Sequence, residues 1–562
     1  MTTTLGAKGS DVYTYNGVGD PRVALSIILT RGQTEEIITN GIKKILEYSD
    51  SKIPDFHKME EDVFVLAFMN RNIRGGKGER AISYIMFKVL YQERPDIMMQ
   101  LFSLIPHYGY WGDIFTIWEQ WATDEVKACM YDMVKTQLDE DTENMKEKKS
   151  ISLLAKWIPR EGREYPDNKI AKEIAQLMFT DGVFSHKMKT YRKVIAPLNK
   201  YLDTVEIKQC DKEWADIKPE TVPGRAMDKY RSAFLNEKKN KDVRYPDNDD
   251  RIKCAEHFRD HINKVLKGDA KINAKDVLMV HEIYEHLCKD DLSEDIKNIH
   301  RAQWKAIKDD LNTKGTFKSM IAMCDFSGSM DGQPKQVCAA MGLMISELAT
   351  GCGKNKIMTF DSTPEWITFS DDMDICDKIN ITKTTSMGQG LSTDFQKAME
   401  LIISDAKKNK TPVADMPNDL VVFTDMCWDK ACNSAETSYY TGNSYRYVVK
   451  TAPWQTHIEM IRESFKRAGE DNFGEGNGYT MPRIVIWNLR PNSYDFHTQA
   501  DTPGVLNFSG WSQNIFKYLV EKGFTVQTPY DGLRIQLDDN MYDMIRIKIR
   551  QIKNETGQTI YF

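Results

Sequence analysis

The sequence predicts an α + α/β protein: an α-helical solenoid over residues 1–300, a doubly wound α/β domain over 317–530 and a C-terminal tail over 531–562. Three observations predict it. The chain of 562 residues is too long for one ordinary domain of about 100–200 residues. Apolar residues recur at spacings of three and four up to about residue 290, with strand signals almost absent. Beyond about residue 317, short apolar runs alternate with helical stretches, the pattern of a mostly parallel sheet.

In the first part, Ile37, Ile38, Ile42, Ile45 and Leu46 mark one helix, and Val63, Leu66, Ala67 and Met69 a second. Further helices are expected over 79–94, 96–105, 112–120, 124–148, 150–158, 168–179, 187–202, 224–236, 251–266 and 275–289. Short helices joined by short polar turns suit a solenoid, although no fixed period repeats in the sequence. Residues 237–250 are polar and read as an exposed loop.

In the second part, Met320-Ile321-Ala322-Met323-Cys324 is a short apolar run, as in a strand buried on both faces. A helix follows over 334–350, with Pro334 at its first position. Strands are expected at 356–360, 366–369, 420–423, 483–487 and 504–508, with helices at 392–408, 454–468 and 511–522. In the tail, residues 545–550 alternate like a strand, with a helix as the other reading.

Composition narrows the function. Lys plus Arg is 76 and Asp plus Glu is 82, a net charge of -6, which excludes a uniformly basic chain but not a local basic face. There is no run of about 18 apolar residues, so no membrane-spanning helix is expected, and the N-terminus lacks the basic and apolar regions of a signal peptide. The ten cysteines are scattered and form no C-x-x-C pair, so reduced, buried thiols in a cytoplasmic protein are expected, or in a virion if the source is viral.

The chemistry concentrates at Asp325-Phe326-Ser327-Gly328-Ser329-Met330, a D-x-S-x-S placed where the first strand ends. Doubly wound sheets bind ligands at that edge. Magnesium prefers hard oxygen ligands in near-octahedral geometry. Asp325 supplies charge, while Ser327 and Ser329 supply neutral hydroxyls. Two further oxygens are expected from the same rim: Thr393, in Gly388-Gln389-Gly390-Leu391-Ser392-Thr393-Asp394, and Asp425, at the end of the strand at 420–423. So few protein charges leave the ion electrophilic, with an open position for an acidic group of a partner.

From about 317 to 525 the chain resembles a von Willebrand factor A domain with a metal-ion-dependent adhesion site. The resemblance implies that Asp325, Ser327, Ser329, Thr393 and Asp425 hold Mg2+, or Mn2+ or Ca2+ in its place; Asp394 can support or replace Thr393. Met358-Thr359-Phe360-Asp361 looks like that family's second strand. In the helical part, residues 64–80, ending Arg71-Asn72-Ile73-Arg74-Gly75-Gly76-Lys77-Gly78-Glu79-Arg80, resemble a segment of TROVE modules, as does His107-Tyr108-Gly109-Tyr110-Trp111-Gly112-Asp113. Over nearly the whole chain the resemblance is to a largely uncharacterised Ro-like branch found in plants, amoebae and giant viruses. It is carried by Ser152-Leu153-Leu154-Ala155-Lys156-Trp157 and Phe508-Ser509-Gly510-Trp511-Ser512. The resemblance implies HEAT-like repeats, closed into a ring or open as a crescent, that bind small structured RNA.

The residues offer two basic surfaces for RNA. One is Arg71, Arg74, Lys77 and Arg80 around a glycine-rich turn, whose backbone amides could approach an anion. The other is Lys187, Lys189, Arg192, Lys193 and Lys200, interleaved with Tyr191 and Tyr201 and free of acidic residues up to Asp203. The tyrosine-rich stretch 430–451 follows Asp425 and reads as a partner-contacting loop.

Other signals are set aside. His281 and His286 are five apart, about 140° around a helix, and cannot share a metal as in zinc proteases. His257 and His261 are four apart but lack a third ligand. Gly351-Cys352-Gly353-Lys354 lacks the rest of a phosphate loop. The expectation is therefore a binding protein and not an enzyme: RNA on the helices and a metal-dependent site in the A-like domain, with no membrane partner. The alternative is a structural or packaging scaffold, for example in a virion, that uses the A-like domain for protein contact without RNA.

Overall fold

The computed structural model describes residues 3–5, 11–49, 56–162, 166–179, 183–274, 278–315, 319–361, 363–386, 395–427, 438–441, 444–447, 454–491, 496–521 and 527–555. The architecture is α + α/β, mostly helical in the N-terminal half, with a six-stranded mixed sheet in the C-terminal half. Two compact units form. One comprises Met1–Ile45, Leu278–Leu292 and Gln303–Asp539; the other comprises Leu46–Val277, Ser293–Ala302 and Asn540–Phe562. The chain thus does not divide at residue 300, and its two ends join units that a linear reading would not assign them to.

The sheet unit begins with a small hairpin of β1 (Thr3–Leu5) and β2 (Asp11–Tyr13), which was not expected from the sequence. Its main strands follow: β3 (Met320–Cys324), β4 (Lys356–Thr359), β5 (Trp366–Thr368) and β6 (Asp419–Thr424). A second hairpin, β7 (Ser438–Thr441) and β8 (Ser444–Tyr447), precedes β9 (Arg483–Asn488) and β10 (Val505–Ser509). The order across the main sheet is β10-β9-β6-β3-β4-β5; all pairs are parallel except β4 with the edge strand β5. Every residue of β3, β6 and β10 is buried, which accounts for the unbroken apolar runs at 320–324 in β3 and 420–423 in β6. After β3 the chain runs outward to β4 and β5, then crosses back to place β6 on the other side of β3. The carboxyl ends of β3 and β6 therefore flank the point where strand order reverses, the position at which such sheets open a crevice.

The first 45 residues belong to this unit for a physical reason. Helix Pro21–Ile28 buries all eight of its residues, and an all-round buried helix must be covered on every side. Asp20 caps it, accepting from the backbone N–H of Arg22 at 2.8 Å. The carbonyl of Ile27 accepts from Asn488 Nδ2 at 2.9 Å, and that of Ser26 accepts from the hydroxyl of Ser509. The helix thus caps the carboxyl ends of β9 and β10.

The helical unit pairs sequence neighbours: Phe56–Arg71 with Ala81–Glu93, Trp111–Gln120 with Asp124–Lys146, Asp167–Met178 with Phe184–Tyr201, and Gly224–Phe234 with Asp249–Lys267. The helix expected over 150–158 shrinks to Leu154–Trp157. Ser152 stops it from starting earlier: its N–H and hydroxyl both donate to Asp141, at 2.9 and 2.6 Å, and its oxygen accepts from Leu154 N. The sequence reading also passed over helices Glu294–Lys314, Ile375–Ser386 and Pro529–Leu537.

The tail is a helix, Asp543–Glu555, and not a strand. Ile545, Ile549 and Ile552 are buried on one stripe, while Ile547, which strand alternation would also bury, is 54% exposed. The helix joins the helical unit through Arg550 to Glu61 and Lys553 to Glu60. Among the described residues no helix is long and apolar enough to cross a membrane, and the described cysteines are free thiols.

Candidate metal centre

β3 and β6 deliver two aspartates to the crevice. Asp325 continues the ladder beyond β3, its N–H donating to Phe423 O at 3.0 Å, and Asp425 follows β6 directly. Both carboxylates are fully buried, and Ser327 is nearly so. Asp325 Oδ1 accepts from Ser327 N at 2.9 Å, which turns the chain so that the hydroxyls of Ser327 and Ser329 lie 3.0 Å apart. Asp325 Oδ2 accepts from Thr424 Oγ1 at 2.9 Å. Asp425 Oδ1 accepts from Cys427 N at 3.0 Å, whereas Asp425 Oδ2 is buried without a hydrogen-bond partner.

The electrostatics agree with this geometry. Burial, and after it the negative charge of Asp425, push the carboxyl of Asp325 up to about 6. A buried like-charged pair with an orphaned oxygen is costly unless a cation or a proton compensates it. The donor set is two carboxylates with flanking hydroxyls, and among the described residues no group of three His, Cys, Asp or Glu converges. These are hard oxygen donors suited to Mg2+ and unlike a thiolate or imidazole site. The residues present therefore fit the cation that the sequence implies. Thr393 and Asp394 lie outside the described residues, as does most of the stretch 430–451, of which the hairpin of β7 and β8 is described. Asp361, at the end of β4, is a further buried rim carboxylate whose pKa is raised by burial.

The structure redistributes the expected RNA-facing residues. Arg71 is buried, with Nε 2.8 Å and Nη2 3.0 Å from the buried carboxylate of Asp113. Lys77 is buried, and desolvation pushes its ammonium down to about 7. Neither is available to a phosphate. The cause is the glycine-rich turn, which folds back onto the end of its helix. The N–H of Gly75 donates to Asn72 Oδ1, those of Gly76 and Gly78 to Asn72 O, and that of Lys77 to Met69 O. A Cβ at Gly76 would lie 2.1 Å from Met69 O, so no side chain fits there. The turn is a helix junction whose amides are used internally, and the expected anion cradle is not formed.

Arg74 and Arg80 are exposed; Arg74 donates to His107 O at 2.8 Å and Arg80 lies 5.0 Å over the Tyr110 ring. On helix Phe184–Tyr201, Lys189, Arg192, Lys193 and Lys200 are exposed and Lys187 is half-buried. Lys189, Lys193 and Lys200 share one face. Arg192 pairs with Glu161. Tyr191 does not interleave with these cations for stacking: it is buried, its hydroxyl donating to Pro159 O at 2.7 Å.

Sequence reasoning missed one cluster. Tyr110 and Trp157 meet edge to face at 4.6 Å, with Arg80 over Tyr110 and the Lys156 ammonium 5.8 Å from the Trp157 ring centroid. Three separate sequence motifs contribute to it, and Trp157 is 42% exposed. The available signal was the place of all three segments among the motifs that carry the family resemblance.

Two family models match the chain, one after the other. Residues 117–317 match a model described as a domain of unknown function, DUF2828, and residues 319–554 match another so described, DUF7788. The two matches meet where β3 begins. The chain is also similar to an uncharacterised protein of Acanthamoeba polyphaga mimivirus, 27% identical over 474 residues, covering 80% of this chain and 75% of that protein.

Proposed function

We propose that the sheet unit is a von Willebrand A-type domain, and that the protein is a non-enzymatic binding protein that captures an acidic group of a protein partner through a divalent cation. Asp325, Ser327, Ser329 and Asp425, together with Thr393, would hold Mg2+, and the ion would supply an electrophilic open position for a carboxylate. The observation that carries this reading is the buried, unpartnered Asp425 Oδ2 beside buried Asp325. The test is differential scanning fluorimetry in EDTA and in Mg2+ or Mn2+. The cation should raise Tm, and Asp425→Ala should abolish the rise; a variant that still responds would sink the assignment.

RNA on the helical unit is the second reading. We read the sequence-neighbour helix pairs as HEAT-like repeats. The exposed face of Lys189, Lys193 and Lys200 and the cluster of Arg80, Tyr110 and Trp157 favour it, since phosphates need cations and unpaired bases stack on rings. Burial of Arg71, Lys77 and Tyr191 moves weight from RNA to the metal site, and with it toward a scaffold that contacts protein. We place the protein in the cytoplasm or in a virion, as the mimivirus relative supports.

A further inference from the structure

The loop that carries Asp425 is held from outside. Met426 adopts φ +68°, a left-handed conformation that a non-glycine residue keeps only when its surroundings enforce it. Three hydrogen bonds do so. Met426 N donates to Thr424 Oγ1 at 3.2 Å and Cys427 N to Asp425 Oδ1 at 3.0 Å, while Met426 O lies 2.8 Å from Nε2 of the buried His497. A carbonyl only accepts, so His497 Nε2 carries the proton and donates it. Rotation of the Met426 peptide would withdraw the N–H of Cys427 from Asp425, so the imidazole fixes that carboxylate through the backbone beside it.

His497 lies on an arm, residues 496–500, outside any helix or strand of the sheet, and most of the arm is buried. The N-terminal segment straps it down. Tyr13 N donates to Phe496 O at 2.8 Å, Gln499 Nε2 to Gly17 O at 3.1 Å and Ala500 N to Val18 O at 2.8 Å; the Tyr15 ring meets Phe496 edge to face at 6.1 Å.

We propose that His497 is a positioning residue of the metal centre, and that residues 13–18 set the cation affinity by holding the arm that carries it. This rests on the metal reading above. Groups that orient a metal's direct ligands typically change its affinity 10–100-fold.

The experiment titrates Mn2+ into the full-length protein, read by calorimetry and by the Mn2+ EPR signal. His497→Ala should weaken binding about tenfold. His497→Gln should restore most of it, because its amide N–H can donate to the same carbonyl. Gln499→Ala should weaken binding about threefold alone and add little to His497→Ala, the non-additivity expected of one connected strap. Wild-type affinity in both His497 variants, with Asp425→Ala inactive in binding, would overturn the positioning role and leave the metal reading intact. Additive effects of Gln499→Ala and His497→Ala would overturn the strap. If His497→Ala fails to fold, His497→Phe replaces it, since the ring keeps the volume and removes the donor: weakened binding supports the positioning role and wild-type binding overturns it. Absence of Mn2+ binding by the wild type would remove the metal reading and this proposal together.

Discussion

Thr424 Oγ1 donates to Asp325 Oδ2 at 2.9 Å, so the last residue of β6 holds the carboxylate that follows β3. Neighbouring parallel strands thus orient one buried carboxylate from two sides of the crevice, while Asp425 Oδ2 is left without a partner.

Removing charge at that oxygen should separate stability from cation response. Asp425→Asn relieves the repulsion on Asp325 and is expected to raise Tm in EDTA while abolishing the rise with Mg2+. In the wild type, Mg2+ at a hundredfold excess over Kd should stabilise by about 2.7 kcal/mol. Paired melting curves with and without EDTA check both outcomes.

The raised carboxyl of Asp325 makes the metal-free protein pH-sensitive. Its folded pKa of about 6 lies above the ordinary 3.8, so between those values the folded state binds more protons than the unfolded chain. The contribution of this group to stability therefore falls as pH rises through that window, by about 3 kcal/mol at most. Urea unfolding in EDTA at several pH values, wild type against Asp325→Asn, isolates it. The variant should gain on the wild type toward neutral pH; a constant difference would contradict the assignment.

Arg71 and Asp113 form a buried bidentate pair, with Tyr84 hydroxyl also donating to Asp113 at 2.6 Å. Asp113→Ala leaves a buried guanidinium uncompensated and should cost about 3–5 kcal/mol in chemical unfolding. Arg71→Ala, if it folds, should leave the salt dependence of any nucleic-acid binding unchanged.

The exposed lysine face tests the RNA reading separately. Combined replacement of Lys189, Lys193 and Lys200 by Ala should reduce the slope of log K against log salt by about 0.7 for each phosphate that the variant no longer neutralises. Trp157→Ala should weaken binding by about 1–3 kcal/mol if a base stacks there. Fluorescence anisotropy with a single-stranded oligonucleotide reads both, and unchanged affinity in the two variants would retire the RNA reading.

The C-terminal helix gives a packing control. Ile549→Ala should destabilise by about 2–4 kcal/mol, whereas Ile547→Ala on the open face should stay within about 0.5 kcal/mol. Equal losses at both positions would argue against the helical register.

The candidate site was partly legible because Asp325, Ser327 and Ser329 are close in sequence and because Asp325 and Asp425 each follow a strand with a strong signature. Met320–Cys324 is apolar throughout, and so is the run Leu420-Val421-Val422-Phe423 inside β6, so the positions of Asp325 and Asp425 at strand ends followed from the pattern. The basic surfaces were less legible. Charge says nothing of which way a side chain faces, and Arg71, Lys77 and Tyr191 turned inward because Asp113, a closed glycine turn and Pro159 O received them or their segment. His497 carried no signal, since its role exists only through contact with Met426, 71 residues away in sequence.

By itself the sequence determined the local periods, the alternation of strands and helices after residue 317, and the D-x-S-x-S between buried strand and helix. Only the tertiary structure decided where the chain ends belong. Residues 1–45 join the sheet unit and 540–562 the helical unit. Helix Pro21–Ile28 and the stripe of Ile545, Ile549 and Ile552 are apolar surfaces that any suitable core could bury, and the choice between cores is made by packing against residues hundreds of positions away. Packing of the same kind holds the arm of His497 against the loop of Asp425, and no local pattern encodes it.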